Sequence, residues 1–493
     1  MPQRGRQFID YEPVTRSREA SVRTPEPAAI EDWPPHDDGW AGRGARSSEK
    51  EPLPAVPTVV AAAASRAAGK GSWILRRGHA LSYLGLFLFT SVLYFRPYEL
   101  TPALAGFSSI AFILALFTLA AFLPSQLGLE GTLTARPREV NLVLLLCLTG
   151  LLSIPLALDP LEAWTTFNDT FVRAILMFIV MVNVIRTQPR LKGMIFLALA
   201  VSCVLSLSAL YNYLTGNLTV EGYRVAGAIG GMFGNPNDMA LHLVTIVPLV
   251  AALFFSTRGM FGKLFYIVCA FLMMAGVAVT FSRGGFLALV SGILVLAWKI
   301  GRRNRLAVIV SVLFFMGAFI VFMPGGYANR VASIVNHKRD AVGSADARQA
   351  LLKRSLLVAA RHPLLGIGMG NFHRVSFREQ VSHNAYTQVA AEMGATALVL
   401  YVLFIITPLR KLRKIEEDTF ETRRSRDMRF YYYLSVGMQA SLIAYMVGSF
   451  FASVAYQWYI YYLVGYCVCL RRMYESGPGA TALEEEARLA ERA

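Results

Sequence analysis

Charge is scarce in this chain. Only 16% of its 493 residues are charged, while 55% are hydrophobic and the mean hydropathy is +0.46. A soluble chain of this length is about one quarter charged, so a conventional multi-domain soluble protein is excluded. Cysteine is sparse too. Cys147, Cys203, Cys269, Cys467 and Cys469 all fall inside apolar runs, and they form neither a disulfide framework nor a zinc spacing. The sequence has no Walker loop, no DxD metal motif and no paired-carboxylate signature. Neither a metal nor a cofactor is therefore expected.

Long apolar runs are what the chain does have. Runs of about 17 to 25 residues read as transmembrane helices. Twelve are placed at about 80–95, 105–123, 140–157, 167–185, 193–213, 237–256, 264–280, 284–300, 305–323, 385–407, 430–450 and 453–470. The expected fold is an all-α polytopic membrane protein. Residues 1–72 differ: they hold 9 of the 22 prolines, 10 acidic and 10 basic residues, and no sustained apolar period. They read as a disordered tail, without the apolar core of a signal peptide. Residues 73–323 hold spans one to nine, 324–384 form one long loop that is partly helical, 385–470 hold spans ten to twelve, and 471–493 form a short tail.

The net charge of +16 sits mostly in short loops. Basic residues cluster near 136, 186, 256, 299 and 410, and these loops alternate with others such as the acidic "LDPLEAW". That distribution obeys the positive-inside rule and argues against nucleic acid as a partner. Both termini are expected in the cytoplasm, with the loops after odd-numbered spans on the outer side.

Three cationic features then share the outer face. Arg283 stands in "TFSRGGFLAL" between two apolar runs, with no acid beside it. A snorkelling anchor is the plain reading of such a residue. Gly284 and Gly285, however, permit a tight turn and close approach of a ligand, and a guanidinium fork suits phosphate oxygens. Arg224 lies in a glycine-rich loop that ends in Asn235-Pro236-Asn237-Asp238, at the mouth of the sixth span. An asparagine there can cap the helix. Together the two arginines suggest an anionic ligand. His383 and Asn384 open the tenth span, where a histidine on the cavity side can take a proton from a hydroxyl. His337, His362 and His373 lack metal spacing and read as structural or exposed. Glu392 is a poor partner for His383 on a straight helix, and its role stays open. Pro363 is expected to end a helix in the long loop, which packs either as a lid on the bundle or along the membrane surface.

These pieces resemble the O-antigen ligase and O-antigen polymerase superfamily of bacterial membrane glycosyltransferases. The resemblance rests on "RVAGAIGGMFGNPNDMA" from Arg224, "FSRGG" from Phe281, "RHPLLGIGMGNF" from Arg361 and "HNAYTQVAAEMG" from His383, and covers roughly residues 80–470. The His-Asn, nine residues, Gly pattern of the ligases is met by His383, Asn384 and Gly394. A second glycine expected three positions on is Ala397 here, which keeps the polymerase reading beside the ligase one. The resemblance implies a GT-C-like fold in the bacterial inner membrane and a periplasmic active site. It implies an undecaprenyl-diphosphate-linked glycan donor, with lipid A-core or a growing glycan as acceptor. It makes Arg224 and Arg283 the diphosphate ligands and His383 the base, with Asn235, Asn237 and Asn384 supporting them. A transporter or flippase of an anionic lipid is the alternative from another class. It calls for charges in both halves of the bundle and for inverted repeats, and the sequence displays neither.

Overall fold

The computed structural model describes residues 79–100, 109–218, 233–301 and 344–479, with isolated positions between these stretches. The expected tail at 1–72, the ninth span at 305–323, His337 and the last residues of the C-terminal tail lie outside the described residues or almost wholly so.

Among the described residues twelve helices carry the fold: α1 (Ala80–Phe95), α2 (Ile110–Glu130), α3 (Arg138–Ser153), α4 (Pro160–Val184), α5 (Gln188–Leu214), α6 (Pro236–Ser256), α7 (Met260–Val279), α8 (Arg283–Ile300), α9 (Ser344–Arg361), α10 (Ala385–Thr419), α11 (Arg426–Gly448) and α12 (Trp458–Glu475). Ten helical stretches among the described residues are long and apolar enough to cross a membrane. The protein is thus an all-α polytopic membrane protein. α9 falls in the expected long loop and stops two residues before Pro363. α12 meets the expected twelfth span but runs to Glu475, so the C-terminal tail begins later than position 471. α10 also outruns its expected span. Beyond Pro408 it continues through "LRKLRKIEEDT", a polar extension that hydropathy alone does not register as helix.

Capping residues set where the helices start. Asp159 accepts from Leu161 and Glu162 N–H ahead of α4, Asn235 from Asn237 N–H ahead of α6, Ser282 from Gly285 N–H ahead of α8, and Asn384 from Tyr386 and Thr387 N–H ahead of α10. Each satisfies N–H groups that the first helical turn leaves unpaired. α6 and α11 are buried along most of their length, whereas only a minority of α2 and α8 is buried. Lipid gives helices no hydrophobic drive to associate, so close fit must hold them. A Cβ on Gly437 of α11 would meet Ala252 Cβ of α6 at 2.5 Å, and one on Gly285 of α8 would meet Ala240 Cβ of α6 at 2.8 Å. The three helices approach as closely as they do because these side chains are missing.

The two ends of the bundle differ in chemistry. At one end, ion pairs tie helices together. Arg471 donates to both oxygens of Glu139 at 2.6 and 2.9 Å, Lys299 meets Glu416 at 2.5 Å, and Arg186 meets Glu130 at 2.6 Å. At the other end meet the loops after α3, α5, α7 and α11 and the segment before α10.

Candidate functional site

The turn between α7 and α8 is built around Phe281. Its φ of 52° puts a bulky residue in the left-handed region, which only strong surroundings sustain. Phe281 is buried, with its ring edge-on to Tyr223 and close to Tyr213 and Tyr327. Reversing the chain here lets Ser282 cap α8 and sets Arg283 at its first turn, half-buried. Gly284 and Gly285 do not supply the turn, as the sequence suggested. Both are helical, and their missing side chains admit neighbouring protein: a Cβ on Gly284 would meet Phe451 Cβ at 2.7 Å.

Arg224 reaches the same turn. Paired backbone hydrogen bonds between Val220 and Arg224 close its loop. Its Nε donates to Thr280 O at 2.9 Å and one Nη to Asn237 Oδ1 at 2.8 Å. Ser282 Oγ donates to that same Asn237 oxygen at 3.0 Å. Arg224, Asn237, Thr280 and Ser282 thus form one polar knot next to Arg283. Arg224 is buried, and its bonds to Thr280 O and Asn237 Oδ1 hold it in place. Asn235 works only as the α6 cap, whereas Asn237 joins the two arginine-bearing segments.

A shallow cleft opens beside the knot. Asn237, Ser282, Gly284, Phe451, Ala452 and Arg348 of α9 line it. His383 stands close by. Its N–H donates to Ser453 Oγ at 2.8 Å, one residue beyond Ala452, and its φ of 52° is again left-handed. Ser382 Oγ, near Ser453 Oγ at 3.1 Å, donates to Asn384 O and steadies the same turn. Burial, and then the nearby Arg348 cation, lower the His383 pKa from 6.5 to about 4. The ring is therefore neutral at pH 7 and can accept a proton. Asn384 is spent on the α10 cap. The first turns of α6 and α8 supply Asn237, Gly284 and Gly285 to the cleft lining, and their dipoles add positive potential.

The structure thus brings Arg224, Arg283 and His383 to one end of the bundle, each bonded or next in the chain to a residue at or beside the cleft lining. It adds Arg348 and Ser453, which the sequence reading missed. Arg348 gave no local signal, because it shares α9 with Lys353, Arg354 and Arg361. His373 and His362 stay out of the cleft. His373 Nδ1 lies 2.9 Å from Gly370 O, and its other nitrogen is 3.5 Å from Glu162, within a clamp where Arg374 bridges Asp159 and Glu162.

Glu392 is the other functional surprise. α10 is broken beneath it: Gly394 has φ 88° and ψ 175°. The segment after α9 lies in the break. Ile367 N–H donates to Ala391 O, Gly368 N–H to Glu392 O, and Ala395 N–H to Pro363 O, at 3.0, 2.9 and 2.7 Å. The His-Asn, nine residues, Gly spacing therefore joins a helix cap at one end to a docking slot at the other.

Comparison with known proteins bears on this end of the molecule. No curated protein matches the chain. Residues 268–402 match the family described as O-antigen ligase. The matched stretch starts within α7 and ends within α10, and it holds Arg283, Arg348, His383, Glu392 and Gly394, while Arg224 precedes it. The chain is a multi-pass membrane protein whose residues 268–402 are similar to the family described as O-antigen ligase.

Proposed function

We propose that this protein is a membrane glycosyltransferase of GT-C-like architecture. It moves a glycan from an undecaprenyl-diphosphate carrier to an acceptor hydroxyl, lipid A-core in the ligase reading, at the periplasmic face of the inner membrane. The observation that carries this reading is that Arg348 lines one cleft with Asn237, which Arg224 binds, and with Ser282 and Ala452, the chain neighbours of Arg283 and of the Ser453 that holds the His383 backbone. The loops that build the cleft are those that the charge pattern assigns to the outer side.

The chemistry follows from the residues. Arg283 and the knot around Arg224 hold the donor diphosphate, with Arg348 opposite. The acceptor oxygen attacks the anomeric carbon while its proton passes to the imidazole of His383. The bond from the anomeric carbon to the phosphate oxygen breaks, and the lipid diphosphate leaves with the electron pair. Fixed cations stabilise the charge that gathers on the leaving oxygen. The diphosphate also answers the field of Arg348, which raises the basicity of His383 when it is needed. No metal enters this scheme, because the arginines supply the positive charge.

The test is transfer by the purified protein in lipid, with a lipid-diphosphate-linked glycan and an acceptor. His383→Ala is expected to lose roughly 10²–10⁴-fold in rate while donor binding survives. Transfer at the normal rate refutes the assignment of the base. A deletion strain separates the two family readings: long lipid-linked polymer accumulates if the protein is a ligase, single repeat units if it is a polymerase.

A further inference from the structure

Glu392 has no part in the transfer chemistry just described, yet it is 3% exposed inside a membrane helix. A carboxylate there is costly, and for packing alone an apolar side chain serves as well. Its bonds show what it does instead. Oε1 accepts from Phe372 N–H at 3.2 Å, with Gly370 N–H also directed to the carboxylate. Oε2 accepts from Tyr456 O–H at 2.7 Å and from Gln388 Nε2 at 3.5 Å. Phe372 and Tyr456 belong to two different loops, joined by no bond of their own helix.

Each loop leads to the cleft. Tyr456 lies three residues after Ser453, the hydroxyl that holds His383. Phe372 packs with Leu351 and Ile367 under α9, and Leu351 lies three residues after Arg348. Arg354 Nε, one turn further, donates to Val375 O at 2.8 Å and keeps α9 against the same segment. One carboxylate is therefore the shared reference for the linker that holds the His383 backbone and for the helix that brings Arg348 to the cleft.

We propose that Glu392 is a positioning residue: it fastens the loop after α9 and the α11–α12 linker to α10, and so fixes the spacing of His383 and Arg348 across the cleft. The role in catalysis rests on the glycan-transfer reading, but the fastening does not.

The experiment uses the full chain in lipid nanodiscs. Glu392→Gln keeps the shape and removes the charge, and Tyr456→Phe removes one bond in case the first variant folds poorly. Each is expected to lower kcat roughly 10- to 100-fold, the scale of an ångström-level misplacement, with a smaller change in donor KM, because, of the three arginines, only Arg348 is displaced. Amide exchange should quicken in both 366–372 and 453–457 together. A normal kcat in both variants overturns the proposal. So does a loss of kcat matched by weaker donor binding and a lower melting temperature, which marks a merely structural role. If the wild type transfers no glycan, the transfer reading falls and exchange alone decides. Unchanged protection of both segments in Glu392→Gln then overturns the fastening, and faster exchange of both supports it.

Discussion

Gly394→Ala is one of the most severe single-methyl changes among the described residues. At φ 88° and ψ 175°, a residue with a side chain pays about 1–3 kcal/mol in backbone strain. The added Cβ would also stand 2.2 Å from Leu364 O and 2.5 Å from Leu364 C. Both are main-chain atoms of the docked segment, so no rotamer change relieves the clash. The segment must leave, and three inter-segment hydrogen bonds at 2.7–3.0 Å go with it. Each contributes about 0.5–1.5 kcal/mol net. Together the penalty is on the order of 3–6 kcal/mol, enough to undock residues 363–372 while the remaining helices stay packed. Hydrogen exchange by mass spectrometry should show that segment losing protection, with α6 and α11 unchanged. Glycan transfer should fall at least roughly 10²-fold. A variant with wild-type protection at 363–372 refutes the reasoning, because the clash would then have been absorbed without undocking.

Other outcomes follow from the same contacts. Asn237→Ala removes the oxygen shared by Arg224 and Ser282; the released polar groups should cost about 1–3 kcal/mol and weaken donor binding, read by titration with lipid diphosphate, and unchanged affinity counts against the knot. Arg283→Lys should bind the donor partly and Arg283→Ala hardly at all, since fork geometry as well as charge is at stake. His383 has its pKa depressed from 6.5 to about 4 by burial and Arg348. Transfer (kcat/KM) should therefore stay level as pH falls through 6.5 and decline only toward 4, and Arg348→Ala should move that limb upward part of the way, burial being the larger cause. The folding linkage has the same sign: between those two values the unfolded chain binds a proton that the native one does not, so acidification through this window erodes stability. Ala397 is fully buried in α10, and Ala397→Gly should cost about 1 kcal/mol in helix propensity, measured by thermal unfolding, without converting one family activity to another.

Much of the fold could be read from hydropathy, because a membrane span is a local property of about 20 residues. The starts of α6, α8 and α10 fell within one residue of expectation, since Asn235, Ser282 and Asn384 announce them. Parity of the loops placed Arg224, Arg283 and His383 at one end, and there the structure finds them. The geometry of the site was less legible, because it depends on contacts far apart in sequence. Nothing local marks Arg348 among the basic residues of α9, and Gly394 looks like any glycine in an apolar helix until Leu364 is seen against it. Glu392 was hidden for the same reason: its partners lie at 372 and 456, and reading along one straight helix missed the loops it holds.

The broken helix also bears on how the protein is made. Ala391 O, Glu392 O and Ala395 N–H lack their usual partners within α10, and lipid offers none, at a cost of several kcal/mol for each bare group. Their partners, Ile367, Gly368 and Pro363, precede α10 in the chain. They leave the ribosome first and can await the helix at the end where it begins. The gap in α10 is closed by residues already synthesised when the helix inserts. With the order reversed, the span would have had to enter the bilayer with its backbone open. Chain order itself thus acts as a chaperone for an imperfect membrane helix.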